Sequence, residues 1–222
     1  MVFFEKSQPA PACLAIEKSK KSDKYNCGDV LDRLKEDFKN KCYICEYKEP
    51  TSINIEHFKP HKGDRNLMFD WGNLFLACAH CNNIKSDKYE NILNCTDISH
   101  KIEAKFKYSL ALFPFEDVVI EALDNAPETI STKNLLLAVY NGTTQMKMLE
   151  ADNLKNKLFD ELVIFSGLLR DYFKDVYDND AKQYFFRGIK AHLSRKSSFT
   201  AFKRSIILNN PKLKQEFEKY FD

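Results

Sequence analysis

Two Cys-x-x-Cys pairs, Cys42/Cys45 and Cys78/Cys81, bracket the segment Ile55-Glu56-His57-Phe58-Lys59-Pro60, and the second pair runs straight into Asn82-Asn83-Ile84-Lys85. A structural zinc ion takes four ligands at tetrahedral corners, with sulfur about 2.3 Å away, and each Cys-x-x-Cys turn aims two thiolates at one ion. Two such knuckles would pin both ends of the chain between them. That chain holds the residue types that metal-assisted phosphodiester hydrolysis needs. His57, with an unperturbed pKa near about 6.5, can act as general base if a hydrogen bond fixes its tautomer. Asn73 can orient that base or lock the loop. Glu56 offers a hard oxygen to a divalent cation, and Asn82, or the adjacent Asn83, offers a second from the head of a helix. Such donors, completed by phosphate oxygens and water, suit Mg²⁺ or Mn²⁺ better than a second zinc.

Periodicity indicates the elements that must hold these residues. Val30, Leu31, Leu34 and Phe38 recur at helical spacing over 29–38, so a short amphipathic helix leads into the first knuckle. Over 52–58, Ile53, Ile55 and His57 alternate with Asn54 and Glu56, which predicts a short strand with Glu56 and His57 on opposite faces. The stretch 59–72, with Pro60, Gly63, Asp64 and Asn66, reads as a loop. Residues 73–77 form a brief buried strand or turn, and 79–88 a helix, completing a ββα unit. Upstream, Pro9, Pro11 and a lysine-serine run suit an extended arm. Downstream, strand-like pieces at 105–113 and 118–123 precede helical patterns at 132–140, 143–176, 181–193, 199–208 and 212–221. The expected fold class is α+β: an arm (1–26), a zinc-stapled core (27–90), an irregular connection (91–130) and a mostly α-helical C-terminal region (131–222).

A chain of 222 residues with 44% hydrophobic and 30% charged residues can bury a core and does not read as disordered. Its richest apolar run, 162–165, is soon interrupted by Arg170 and Asp171, so no membrane span is expected. Charge follows closely on the apolar start, which argues against a secretory signal and for the cytoplasm. In that reducing compartment the seven cysteines are not expected to form disulfides, and Cys13, Cys27 and Cys95 read as small buried residues without chemistry. A net charge of +2 is weak for holding duplex DNA unaided, so either the basic surface is local or a partner supplies grip. Local clusters lie at 18–24, expected to be a solvated face, at Lys59, His61, Lys62 and Arg65 beside the candidate site, and at Arg187, Lys190, Arg195, Lys196, Lys203 and Arg204. Trp71 reads as a core anchor, and His80 as lying outside the zinc ligands.

Taken together, Cys42-x-x-Cys45, Glu56-His57, Asn73 and Cys78-x-x-Cys81-Asn82-x-x-Lys85 resemble the HNH endonuclease pattern of the ββα-metal class, over about residues 41–88. The resemblance implies that His57 is the general base, Asn73 the central asparagine, Glu56 the acidic metal ligand and Asn82 the final motif position. It departs from the commoner pattern in carrying Glu for Asp and Asn for His. It also implies that Lys85 contacts DNA phosphate, with Lys59 and His61 as further nucleic-acid contacts in the loop. The wider layout, including Asp70-Trp71-Gly72-Asn73-Leu74, resembles the HNH nuclease subunit of Septu-type and retron-associated anti-phage defence systems. That implies a DNA substrate and an ABC/SMC-like ATPase subunit as partner. The alternatives are a stand-alone restriction-type or toxin nuclease, and a zinc-stabilised DNA- or partner-binding module without cleavage activity.

Overall fold

The N-terminal prolines do not keep the chain extended. Pro11 stands at the mouth of helix α1 (Ala12–Ser19), where a missing N–H removes no intrahelical bond. The computed structural model describes residues 1–20, 23–111 and 116–222; Lys21 and Ser22 of the basic 18–24 run lie outside the described residues. Met1, Val2, Phe4 and Leu14 are buried in the main core, with the Phe4 ring 5.2 Å from Phe38. The turn leading to helix α2 (Val30–Asp37) brings Cys27 back to α1, where it is disulfide-bonded to Cys13 with Cα atoms 6.0 Å apart. This overturns the expectation that the two cysteines are bystanders, because the pairing comes from a reversal of the chain and not from any local cysteine spacing. Gly28 makes the reversal possible: its φ is +51°, and a Cβ there would stand 3.1 Å from the Cys13 sulfur.

The first knuckle follows α2 and leads to strand β1 (Ile53–His57), the short helix α3 (Arg65–Met68), a 3₁₀ turn at Trp71–Asn73, strand β2 (Leu74–Cys78) and helix α4 (Ala79–Lys85). β1 and β2 pair antiparallel, with Glu56 opposite Phe75 and His57 opposite Leu74. The continuous apolar run of β2 reflects burial along its whole length. Tyr43 of the first knuckle covers it, donating its backbone N–H to the Leu76 carbonyl at 2.9 Å. Phe75 sits among Phe38, Tyr43 and Phe58, with ring centroids 4.9 to 5.3 Å away.

Strands β3 (Phe106–Ser109) and β4 (Val119–Ala122) form a second antiparallel pair. Leu112 and Phe113, at the end of one expected strand piece, lie outside the described residues. Helices α5 (Pro127–Asn141), α6 (Gln145–Tyr172), α7 (Asn179–Leu193), α8 (Thr200–Leu208) and α9 (Pro211–Phe217) complete an α+β fold. Between α5 and α6, Gly142 has a φ of +76°, and a Cβ there would meet the Met148 backbone at 2.6 Å. One apolar core runs from Met1 through the ββα unit to Phe202, and a smaller one joins Phe165, Leu169, Ile189, Leu193, Ile207 and Phe217. Among the described residues no helix is long and apolar enough to cross a membrane.

Several residues of the expected C-terminal basic cluster turn inward. Lys203 is fully buried and donates to Glu161 at 2.5 Å and Ser197 at 2.8 Å; Arg204, also buried, pairs with Glu103 at 3.1 Å and Asp222 at 2.6 Å. Arg195 joins the same network through Glu103 at 2.9 Å. Desolvating a cation without a counter-charge is costly, so these cations bring their acids with them and are consumed internally.

Candidate active site and metal centre

Cys42, Cys45, Cys78 and Cys81 are buried, and their four Sγ atoms all lie within 4.8 Å of one another. Cys45 and Cys78 are 4.0 Å apart, against the roughly 3.8 Å between sulfurs about 2.3 Å from a common tetrahedral ion. Burial pushes the Cys45 and Cys81 thiols well above the usual range, and a cation at the centre of the cluster is what would let them ionise. The donor set therefore fits a structural metal ion. His80, inside the second knuckle, turns away from the sulfurs: Nδ1 lies 2.6 Å from Glu150 of α6 and Nε2 2.8 Å from the Val139 carbonyl of α5. It fastens the knuckle to the helical region.

Asn73 is buried, and its side chain makes three hydrogen bonds. Oδ1 accepts from the Lys59 N–H at 2.7 Å, while Nδ2 donates to the carbonyls of Lys59 at 2.9 Å and Leu67 at 3.0 Å. Both ends of the 59–67 loop are thereby tied to the start of β2. Directly after that loop, at the end of α3, the Met68 carbonyl lies 3.0 Å from His57 Nε2. A carbonyl can only accept, so Nε2 carries the ring proton and Nδ1 keeps its lone pair. The half-buried His57 ring is packed edge-on by Tyr25 and His61, both with centroids at 4.6 Å. Burial lowers its pKa from the ordinary 6.5, with the Met68 hydrogen bond opposing and His61 and Lys85 adding to the fall.

Glu56 lies on the opposite face of β1, as the alternation requires, and is only 4% exposed. Its Oε1 is 2.7 Å from Lys85 Nζ, itself fully buried, and that ammonium also donates to the His57 carbonyl at 3.3 Å. Lys85 is thus engaged inside the fold, and of the two Glu56 carboxylate oxygens one is taken by it while the other, Oε2, is buried without a hydrogen-bond partner. Among the described residues the cysteine cluster is the one group of three or more His, Cys, Asp or Glu donors that converges. Asn82 is half-buried three residues before Lys85 on α4, whereas Asn83 is exposed and lines a separate groove with Ala79, His80 and Glu150. Lys59 is exposed at the loop, and His61 accepts from the Gly63 N–H at 3.1 Å while contacting His57.

Two further neighbours shape the site, Tyr25 without any sequence signal and Arg65 in a role other than the phosphate contact its basic cluster suggests. Tyr25 arrives from the N-terminal segment, and Arg65 of α3 holds that segment down. Its guanidinium donates to the carbonyls of Glu17, Lys18 and Lys20 at the end of α1, at 2.7 to 3.2 Å, and pairs with Asp23 at 3.1 Å. A cation at a helix C-terminus also meets the negative end of its dipole. Trp71 is the core anchor expected: it is 3% exposed, donates to the Ser7 carbonyl at 2.8 Å and carries Lys6 Nζ 3.7 Å above its ring.

This geometry coincides with a family match. Residues 42–88 match the family model for HNH endonuclease. Over 63 residues the chain is 38% identical to the Septu protein PtuB of Bacillus thuringiensis, covering 26% of this chain and 24% of that protein, so the match spans about a quarter of the curated relative. The ββα unit and its cysteine knuckles are thus an HNH endonuclease domain, in a chain that resembles PtuB.

Proposed function

We propose that this chain is a metal-dependent endonuclease that hydrolyses DNA phosphodiester bonds with His57 as general base. The carrying observation is the 3.0 Å contact between His57 Nε2 and the Met68 carbonyl, which leaves Nδ1 able to take a proton from attacking water. The lowered pKa keeps that imidazole neutral at physiological pH. Asn73 supports the loop that leads to the Met68 carbonyl. The four cysteines hold zinc, which staples the two ends of the unit. Mg²⁺ or Mn²⁺, when bound, supplies charge neutralisation at the phosphoryl oxygens; Asn82 is the side chain available to it, while Glu56 is engaged by Lys85. Lys59 and His61 meet the DNA backbone at the loop. The likeness to a Septu protein supports a role as effector nuclease of a cytoplasmic anti-phage defence complex, beside an ABC/SMC-like ATPase subunit.

The test is plasmid cleavage by purified protein with Mg²⁺ or Mn²⁺, with and without a co-purifying partner. His57→Ala is expected to slow cleavage by about 100- to 10,000-fold, the span of a general base, with zinc content unchanged. Wild-type rates should be flat at and above neutral pH and fall only at some pH below the ordinary histidine value of about 6.5, as Nδ1 is protonated. The burial of Glu56 favours a second reading, a zinc-stabilised binding module. Absence of cleavage with any divalent ion, in protein that is folded and holds zinc, would install that reading instead.

A further inference from the structure

The centre of the ββα unit contains an acid and a base that solvent barely touches, and burial pushes the Glu56 carboxyl up to about 7 against the pull of Lys85. Lys85 is fully buried in the last turn of α4 and Glu56 is 4% exposed on β1, with Nζ and Oε1 2.7 Å apart. The same ammonium reaches the backbone carbonyl of His57 at 3.3 Å. One side chain thus grips β1 at two consecutive residues, at the end of the strand that carries the base. The cross-strand neighbour of Glu56 is Phe75, in the aromatic core, whereas the His57 ring lies among Tyr25, His61 and the Met68 carbonyl.

Resting on the endonuclease reading, we propose that Glu56 and Lys85 are a positioning pair for His57: they lock the end of β1 to α4, and neither touches the metal or the DNA. Three observations carry this. A carboxylate that left Lys85 for a cation would abandon a fully buried ammonium without a counter-charge. The remaining oxygen, Oε2, is enclosed and has no hydrogen-bond partner, so it is not presented to solvent. The carbonyl contact couples Lys85 to the His57 backbone directly, which a mere fold-stabilising pair would not require.

The experiment uses the full zinc-loaded chain and compares Glu56→Gln, Lys85→Met and the double variant with wild type. Cleavage is measured across a Mn²⁺ titration, and the His57 Nε2–H proton, hydrogen-bonded to Met68, is followed by NMR as a slowly exchanging signal. Positioning predicts that each single variant lowers kcat by about 10- to 100-fold while half-saturating Mn²⁺ stays within about threefold of wild type. Lys85→Met should be the worse single variant, because it strands a buried carboxylate, and the double variant should regain about fivefold or more over it. The Nε2–H signal should lose protection in Lys85→Met and recover part of it in the double variant. A rise of about 30-fold or more in half-saturating Mn²⁺ for Glu56→Gln, with Lys85→Met near wild-type kcat, would make Glu56 a metal ligand and overturn the proposal. An unchanged Nε2–H signal in all three variants would overturn it even if the wild type did not cleave. Loss of wild-type cleavage alone counts against the endonuclease reading, since the proton signal reports positioning without turnover.

Discussion

Asn73 shows how one amide can serve a site it does not enter. Its three side-chain hydrogen bonds close the 59–67 loop, and that loop leads to the carbonyl that sets the His57 tautomer. Asn73→Ala should cost about 3 kcal/mol in urea unfolding, at about 1 kcal/mol per lost hydrogen bond, and should lower cleavage through a mobile Met68 carbonyl. Asn73→Asp keeps the acceptor but sets a carboxylate against two carbonyls, so it should do no better. At this scale the sequence was informative where chemistry depends on side-chain type. Paired cysteines, a histidine beside an acid and an asparagine before the second knuckle are all visible as letters. Two things were not visible. Met68 contributes only its backbone, which carries no compositional trace. Glu56 and Lys85 stood in the right motif positions, but that each would be spent on the other depends on the packing of α4 against β1.

Among the elements, α1 departs most from expectation. Eight residues with two upstream prolines make a poor helix pattern, and what secures them is tertiary: Arg65 on their C-terminal carbonyls and the Cys13–Cys27 disulfide. Cys27→Ser is expected to lower stability by about 3 kcal/mol, the value for a closed loop of about 15 residues, and to reduce cleavage as Tyr25 loosens from His57. Thermal melts and plasmid assays with and without reductant would check both, and a reductant-insensitive melt would count against the bond. The C-terminal helices were more legible, α6 above all, because it buries Leu154, Leu158, Phe165 and Leu169 at helical spacing. Their ends were less so. α5 starts at Pro127, which is preorganised for a first turn, ahead of the helical pattern expected from 132. α4 stops at Lys85 because Ser86 takes a φ of +39°.

For the whole molecule, the sequence charge overstates the basic surface. Among the described residues the buried cations are Lys41, Lys85, Lys155, Lys203 and Arg204, against the buried acids Asp37, Glu46 and Glu56. Lys85, Lys203 and Arg204 are each paired with an acid inside the fold, so they are not free to meet a phosphate. DNA binding by this chain alone should therefore depend weakly on salt: two or three phosphate contacts around Lys59 and His61 would give a loss of about 10- to 40-fold between 50 and 200 mM. Fluorescence anisotropy over that range checks it, and a much steeper fall would reveal a basic surface elsewhere. The sulfur atoms impose a different constraint, on history. Cys42, Cys45, Cys78 and Cys81 must stay reduced until a metal ion takes them, while Cys13 and Cys27 must together give up two electrons. An oxidant that arrives first meets six competing thiols and can cross-link the wrong ones; metal that arrives first shields four and leaves one eligible pair, with Cys95 sealed in the core. The chain thus has a favoured order of maturation, metal before disulfide, and a batch made in the reverse order should carry misplaced bridges that no later metal can repair.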